Sequence, residues 1–247
     1  MDTCDLQIEY PGKDCLLDQD EEWFHLRTDN GQKRIKVHEY DRVYKVPGLY
    51  EEVVYNKLQC DSPNVIANLL KETMVEHGDG ETALRVLDFG AGNGISGEAL
   101  QEEIETEALV GVDIIDAAKK AAGRDRPGLY DDYYVMDLSE LEAEDKRTLA
   151  RWDFNALITI AALGFGDIPT QAFVNSFNLV PDGSWVAFNI KDRFLSDSDD
   201  TGYNEMLQEM IGSSLQVYRK HRYCHRLSMA GDPLHYYAII GRKEDGF

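Results

Sequence analysis

Between Arg85 and Ser96 the chain reads Arg-Val-Leu-Asp-Phe-Gly-Ala-Gly-Asn-Gly-Ile-Ser, an apolar run followed by glycines at 90, 92 and 94 and then by a helical pattern. No other stretch narrows the fold as much. Alternate glycines let a backbone turn sharply and lie close to a ligand, and the amides at the next helix's N-terminus add donors. Strand, glycine loop and helix in that order form the first unit of a doubly wound α/β sheet. Asp88, two places before Gly90, sharpens the chemistry. A carboxylate at a strand end suits an ammonium, met directly or through water, and disfavours a phosphate. The segment therefore points to a zwitterionic, amino-acid-like ligand. Gly92-Asn-Gly94-Ile-Ser-Gly97 also matches the dinucleotide fingerprint letter for letter, so a nicotinamide-dependent oxidoreductase is the alternative. In that register the first glycine belongs where Gly90 already stands, and Gly97 falls inside the helix.

The rest of the chain carries the same alternation. Strand patterns cover Arg85–Phe89, Ala108–Val112, Tyr133–Met136, Ala156–Ile160 and Trp185–Ile190, and helical patterns cover Ile95–Glu103, Asp116–Ala122, Leu141–Leu149 and Thr170–Leu179. Strands separated by helices of this length predict a parallel sheet wrapped on both faces. A helix at Asn204–Ile211 breaks the rhythm, and the runs Leu215–Leu227 and Tyr236–Gly241, joined through Ala230-Gly-Asp-Pro233, predict an antiparallel closing pair. Before the sheet, Asn30-Gly31 marks a hairpin turn, and Tyr40 to Val75 repeats its apolar residues at helical steps. The predicted organisation is an acidic hairpin appendage over 1–39, a helical lid over 40–80 and an α/β core over 81–247.

Two further strand ends carry acids. Val110-Gly-Val-Asp113 places a carboxylate where both hydroxyls of an adenosine ribose can be held, and Met136-Asp137-Leu138 offers an acceptor for the exocyclic amine with an apolar side chain for the ring. The charge balance limits the partners. With 46 acidic against 25 basic side chains the formal charge is -21, and that field repels a nucleic acid. Cys4, Cys15, Cys60 and Cys224 form no metal or redox spacing and are expected as reduced thiols. His221 and His225 lack the glutamate of a zinc motif, so no metal is expected. No basic-then-apolar leader opens the chain and no apolar run reaches a membrane-spanning length, which makes a cytoplasmic protein the expectation.

Val86 to Gly94, with Gly111-Val-Asp113 after it, resembles motifs I and II of the class I S-adenosylmethionine-dependent methyltransferases. Met136-Asp137-Leu138 is similar to their adenine-contacting motif, Trp152 to Leu163 to their fourth strand and loop, and Leu179 to Phe188 to their Leu-Lys-Pro-Gly-Gly turn and fifth strand. The likeness spans roughly residues 40 to 242. It implies a Rossmann-like seven-stranded sheet with the last strand antiparallel, and S-adenosylmethionine as cofactor. The implied cofactor contacts are Asp88, Gly90, Ala91, Gly92, Asp113, Ile114, Asp137, Leu138 and Ile160. Tyr40-Asp-Arg-Val-Tyr44 and Tyr50 are similar to the lid of small-molecule methyltransferases such as the Williams-Beuren-region methyltransferase-like group, with Tyr44 standing where that group has alanine. This implies a small-molecule acceptor, no nucleic acid partner, and Tyr40 and Tyr50 closing over the cofactor. A protein that binds the cofactor without turnover fits the same residues, because methyl transfer requires no particular catalytic side chain. Where a base is needed, His38 and Tyr40 are the candidates, with His221, His225 and His235 further off; the Gly164-Phe-Gly-Asp167 loop is a candidate acceptor wall.

Overall fold

A computed structural model describes residues 6–12, 17–29, 31–164 and 168–244. At the N-terminus, β1 (Ile8–Glu9), β2 (Trp23–Thr28) and β3 (Gly31–Lys36) pair in that order as an antiparallel sheet. Thr28 faces Gly31 across the turn expected there; Asn30 itself lies outside the described residues. β1 escapes the sequence pattern because two residues show no alternation. Past Lys36 the chain forms α1 (Tyr40–Tyr44), a π-helical stretch at Glu51–Lys57, and α2 (Ser62–Glu76), which starts on Pro63, a residue whose missing N–H costs nothing in a first turn. Phe24, Leu26 and Ile35 of the small sheet pack with Val43, Leu49, Val53 and Leu58, so hairpin and lid share one apolar cluster.

The large sheet follows: β4 (Leu84–Phe89), α3 (Ile95–Glu103), β5 (Thr106–Asp113), α4 (Asp116–Asp125), β6 (Asp132–Val135), α5 (Ala143–Ala150), β7 (Ala156–Thr159), α6 (Thr170–Asn178), β8 (Trp185–Lys191), α7 (Tyr203–Ser213), β9 (Leu215–Leu227) and β10 (Pro233–Lys243). Its spatial order is β6-β5-β4-β7-β8-β10-β9. Strands β4 to β8 run parallel, and β10 lies between β8 and β9, antiparallel to both. This is the seven-stranded, doubly wound sheet with an antiparallel last strand that the sequence implied. Both faces are covered. Leu87 and Phe89 of β4 face Phe173 and Phe177 of α6, while Val86 faces Ile66 and Leu70 of α2. Burial on two sides explains why these strands read as continuous apolar runs. Helix α5 starts later than the pattern at Leu141 suggested, because Glu142 and Asp145 cap it reciprocally. No helix among the described residues is long and apolar enough to cross a membrane.

Candidate functional site

The strand order reverses beside β4, and a cleft of roughly 870 Å³, open mouth included, lies over the carboxyl ends of β4, β5, β6 and β7. The glycine loop forms its floor. Gly90 and Gly92 have φ of +77° and +55°, a region that suits glycine. A Cβ at Gly92 would come within 2.5 Å of the Tyr44 hydroxyl, and one at Gly90 within 2.8 Å of Ala162. Only bare backbone fits between the lid and the β7 loop.

Asp113 is 9% exposed and holds the loop in place. Its Oδ2 accepts from the Gly92 amide and its Oδ1 from the Ile115 amide, each at 2.9 Å. Burial pushes its carboxyl above the usual range, against the lowering effect of those amides. The carboxylate also lines the cleft. Asp137 also lines the cleft, and its Oδ1 caps the short turn at Leu138–Glu140 through the Ser139 amide and hydroxyl. Ala91, Ile114, Leu138 and Ile160 complete this part of the wall, with Ile114 60% exposed at the rim.

Asp88, expected to meet an ammonium directly or through water, lies apart from the other two acids. Strand alternation turns it to the side of Val86, beneath the loop, and it does not line the cleft. It is fully buried, its Oδ2 accepts from the Tyr130 hydroxyl at 2.7 Å, and its Oδ1 has no hydrogen-bond partner. Burial pushes its carboxyl up to about 7. Tyr133, one strand over, donates its hydroxyl to the Gly92 carbonyl at 2.8 Å. The acid and the two tyrosines thus support the loop from below.

The lid closes from above. Tyr40 and Tyr50 line the cleft as expected, and Tyr44 and Tyr55 join them. Neighbouring rings lie 6.0 Å (Tyr40–Tyr44), 4.9 Å (Tyr44–Tyr50) and 5.9 Å (Tyr50–Tyr55) apart. Sequence reasoning singled out Tyr44 as a departure from the similar group and passed over Tyr55; four tyrosines between 40 and 55 were the available signal. Nothing in the sequence marked the clamp. Arg126, next to α4, donates to Glu51 of the lid and to Glu98 of α3, each at 2.8 Å, while Asn93 of the glycine loop donates to the same Glu51 carboxylate. His38 stacks on Tyr40 with ring centroids 5.5 Å apart, but it faces a second, adjoining chamber and not the cleft. Gly164 and His225 line that chamber too; Phe165, Gly166 and Asp167 lie outside the described residues, and His221 and His235 line neither cavity. No group of three or more His, Cys, Asp or Glu among the described residues could hold a metal. Cys60 is buried and Cys224 exposed, both as free thiols, and Cys4 and Cys15 lie outside the described residues.

The sheet order, the glycine loop and the acid-tipped strands together define a Rossmann-like, doubly wound α/β fold with an antiparallel last strand. Among solved structures, one from Thermoplasma acidophilum matches with a TM-score of 0.52 and 16% identity, covering 78% of this chain and 94% of that one. A candidate RNA methyltransferase from Pyrococcus horikoshii matches with a TM-score of 0.52 and 14% identity, covering 78% and 97%. A magnesium protoporphyrin IX methyltransferase from Synechocystis, solved with S-adenosylmethionine bound, overlaps with a TM-score of 0.49 and 12% identity over 74% of this chain and 79% of that one. No family model matches the sequence, and no curated protein matches it. The likeness is one of fold.

Proposed function

We propose that the protein is an S-adenosylmethionine-dependent methyltransferase acting on a small molecule. The observation that carries the reading is the charge of the cleft: Asp113 and Asp137 line it, and no Lys, Arg or His does so among the described residues. Asp113 would suit the ribose of either cofactor; a sulfonium gains from an acidic wall without cations and an adenine amine finds an acceptor in Asp137, whereas a pyrophosphate finds backbone amides alone. The sheet supports the same choice. The dinucleotide fold continues parallel after its fifth strand, and here β10 is inserted antiparallel beside β8.

On this reading Asp113 takes the ribose diol, Asp137 the exocyclic amine, and Ile114 and Leu138 flank the ring. The loop at Gly90 to Gly92 runs along the amino-acid end, with Asp88 acting on the ammonium through water. Tyr40, Tyr44 and Tyr50 close over it. The bound cofactor supplies an electrophilic methyl group; the acceptor's lone pair forms the new bond as the carbon–sulfur bond breaks and its electron pair stays on sulfur. Orienting the acceptor in line is the main task left to the protein. His38, beside Tyr40, is placed to accept a proton from a hydroxyl or ammonium acceptor. The formal charge of -21 supports a small acceptor over a nucleic acid.

Parallel calorimetric titrations with S-adenosylmethionine, S-adenosylhomocysteine and NAD test the reading. We expect both sulfur ligands to bind at micromolar concentration and NAD to bind at least a hundredfold more weakly. Tighter binding of NAD overturns it.

A further inference from the structure

Beside the cleft lies the second chamber, roughly 450 Å³ with its opening, which shares Tyr40, Tyr50, Ala161 and Ala162 with it. A molecule seated there would reach whatever the cleft holds. Three side chains in its wall carry hydrogen-bonding capacity that the protein leaves unused.

Gln19 is 7% exposed; its amide nitrogen donates to the Tyr236 hydroxyl at 2.8 Å, and its Oε1 has no partner. A buried acceptor left bare is costly unless a ligand supplies the donor. Arg226 is 3% exposed. Its Nη1 donates to the Leu227 carbonyl at 2.8 Å, while its Nη2 sits 2.7 Å from Glu22 Oε2 but off the line of a hydrogen bond, so that neither atom has a hydrogen-bond partner. The ion pair balances charge and still leaves an N–H to donate.

His225 follows from proton counting. Its Nδ1 lies 2.6 Å from Ser62 Oγ, which lies 2.7 Å from the Tyr223 hydroxyl, and Asn189 Nδ2 donates to both oxygens. The buried Tyr223 proton has one acceptor within reach, Ser62 Oγ. The Ser62 hydroxyl also bonds to Cys60, but a thiol sulfur is a weak acceptor, so the Ser62 proton goes to His225 Nδ1, 2.6 Å away, which accepts. The Cys60 thiol, 3.8 Å from the same nitrogen, is kept protonated by burial, which raises it to about 11. Burial also holds the imidazole well below its ordinary pKa, so the ring is neutral and its single proton sits on Nε2. His225 is thus a hydrogen-bond donor and not a base.

We propose that this chamber seats the methyl acceptor and that the acceptor is a compact carboxylic acid bearing a hydroxyl or amine. The inference rests on the methyltransferase reading of the neighbouring cleft. The acid's oxygens take the donors of Arg226 and His225, and its O–H or N–H satisfies Gln19 Oε1. Glu22 balances the charge of Arg226, so the acid is held by the donors it meets and by its own hydroxyl or amine, whether or not the neighbouring cleft holds a cation. The two compartments are complementary: one lined by carboxylates for a cation, the other by donors for an anion.

The test uses the full chain saturated with S-adenosylhomocysteine and titrates glycolate and 3-hydroxybenzoate against glycolamide and 3-hydroxybenzamide. At least one acid should bind tenfold or more tightly than its amide. Gln19→Glu, nearly isosteric, should weaken that acid's binding at least tenfold while S-adenosylhomocysteine affinity stays within twofold, which also shows that the variant folds. Acids and amides that bind alike, or not at all, to wild-type protein carrying S-adenosylhomocysteine overturn the proposal without touching the cofactor reading. Unchanged acid affinity in Gln19→Glu overturns it as well. Wild-type protein that binds no S-adenosylhomocysteine fells the methyltransferase reading itself, and this one with it.

Discussion

The cleft and the chamber meet at Tyr40 and Tyr50 and are built by opposite means. The cleft draws its floor and one wall from one stretch, Phe89 to Leu138, with the rest from residues 40–55 and 160–172, and works through backbone amides and strand-end acids, with Gly92 and Asp113 only 21 positions apart. The chamber is assembled from distant parts. Gln19 bonds to Tyr236 across 217 positions, and Ser62 to His225 across 163. The difference teaches that a site for a common ligand can be carried by a local motif, whereas a site for a particular ligand is carried by the way the ends of the chain come together.

Substitutions on the cleft side should act on the cofactor, and the largest effect belongs to Gly92→Val. A side chain at φ +55°, pressed against the Tyr44 hydroxyl, should cost about 4 kcal/mol or more in S-adenosylhomocysteine binding through strain and overlap. Calorimetry that finds affinity within tenfold of wild type would move the ligand out of the cleft. Next comes Asp88→Asn, read in stability. Asp88 titrates near 7 in the fold against 3.8 in the unfolded chain, so between these values the folded state binds the extra proton. Wild-type stability therefore falls as pH rises from about 4 to 7 and levels off above, a total of roughly 4 kcal/mol. Asp88→Asn should lack that fall and be the more stable protein at pH 8; denaturant titrations at pH 5 and pH 8 that give equal differences would deny the buried acid its raised pKa.

Asp113→Ala should weaken S-adenosylhomocysteine by about 1.5–3 kcal/mol, the scale of hydrogen bonds to a charged group, and should leave binding of a carboxylic acid in the chamber the same. Equal loss of both would mean that the two compartments are one. The smallest effect is Arg126→Gln. Freeing Glu51 should weaken the ligand by about 1 kcal/mol and quicken hydrogen exchange over residues 40–58 relative to β4. Unchanged exchange would make the covering segment a fixed scaffold.

The core was legible because its signals are local. Helix α3 and strand β9 fall within the bounds that their patterns predicted, Ile95–Glu103 and Leu215–Leu227, and Asp113 and Asp137 line the cleft as expected from their strand ends. Asp88 was found but its orientation was not, since a sequence shows that an acid ends a strand and not which face the pleat turns it to. Gln19, Arg126 and Arg226 were passed over for a different reason. A lone glutamine or arginine in an acidic chain looks like solvated surface until the fold buries it, and its partners lie on elements far away in sequence.

The π-helical stretch at Glu51–Lys57 has a consequence for how the cover can change. Five residues along an α-helix turn the side chain about 140° away, yet Tyr50 and Tyr55 meet ring to ring because the wider turn brings them back into line. Such a turn is an α-helix with one residue too many, and its backbone bonding is poorer for it. Losing a single residue between the two tyrosines would tighten the helix to α geometry and leave the rings four positions apart, still on one face. Tightening the helix with all its residues kept would instead turn one ring off the cleft, so the alignment of the rings is written in the match between segment length and helix type as much as in the side chains.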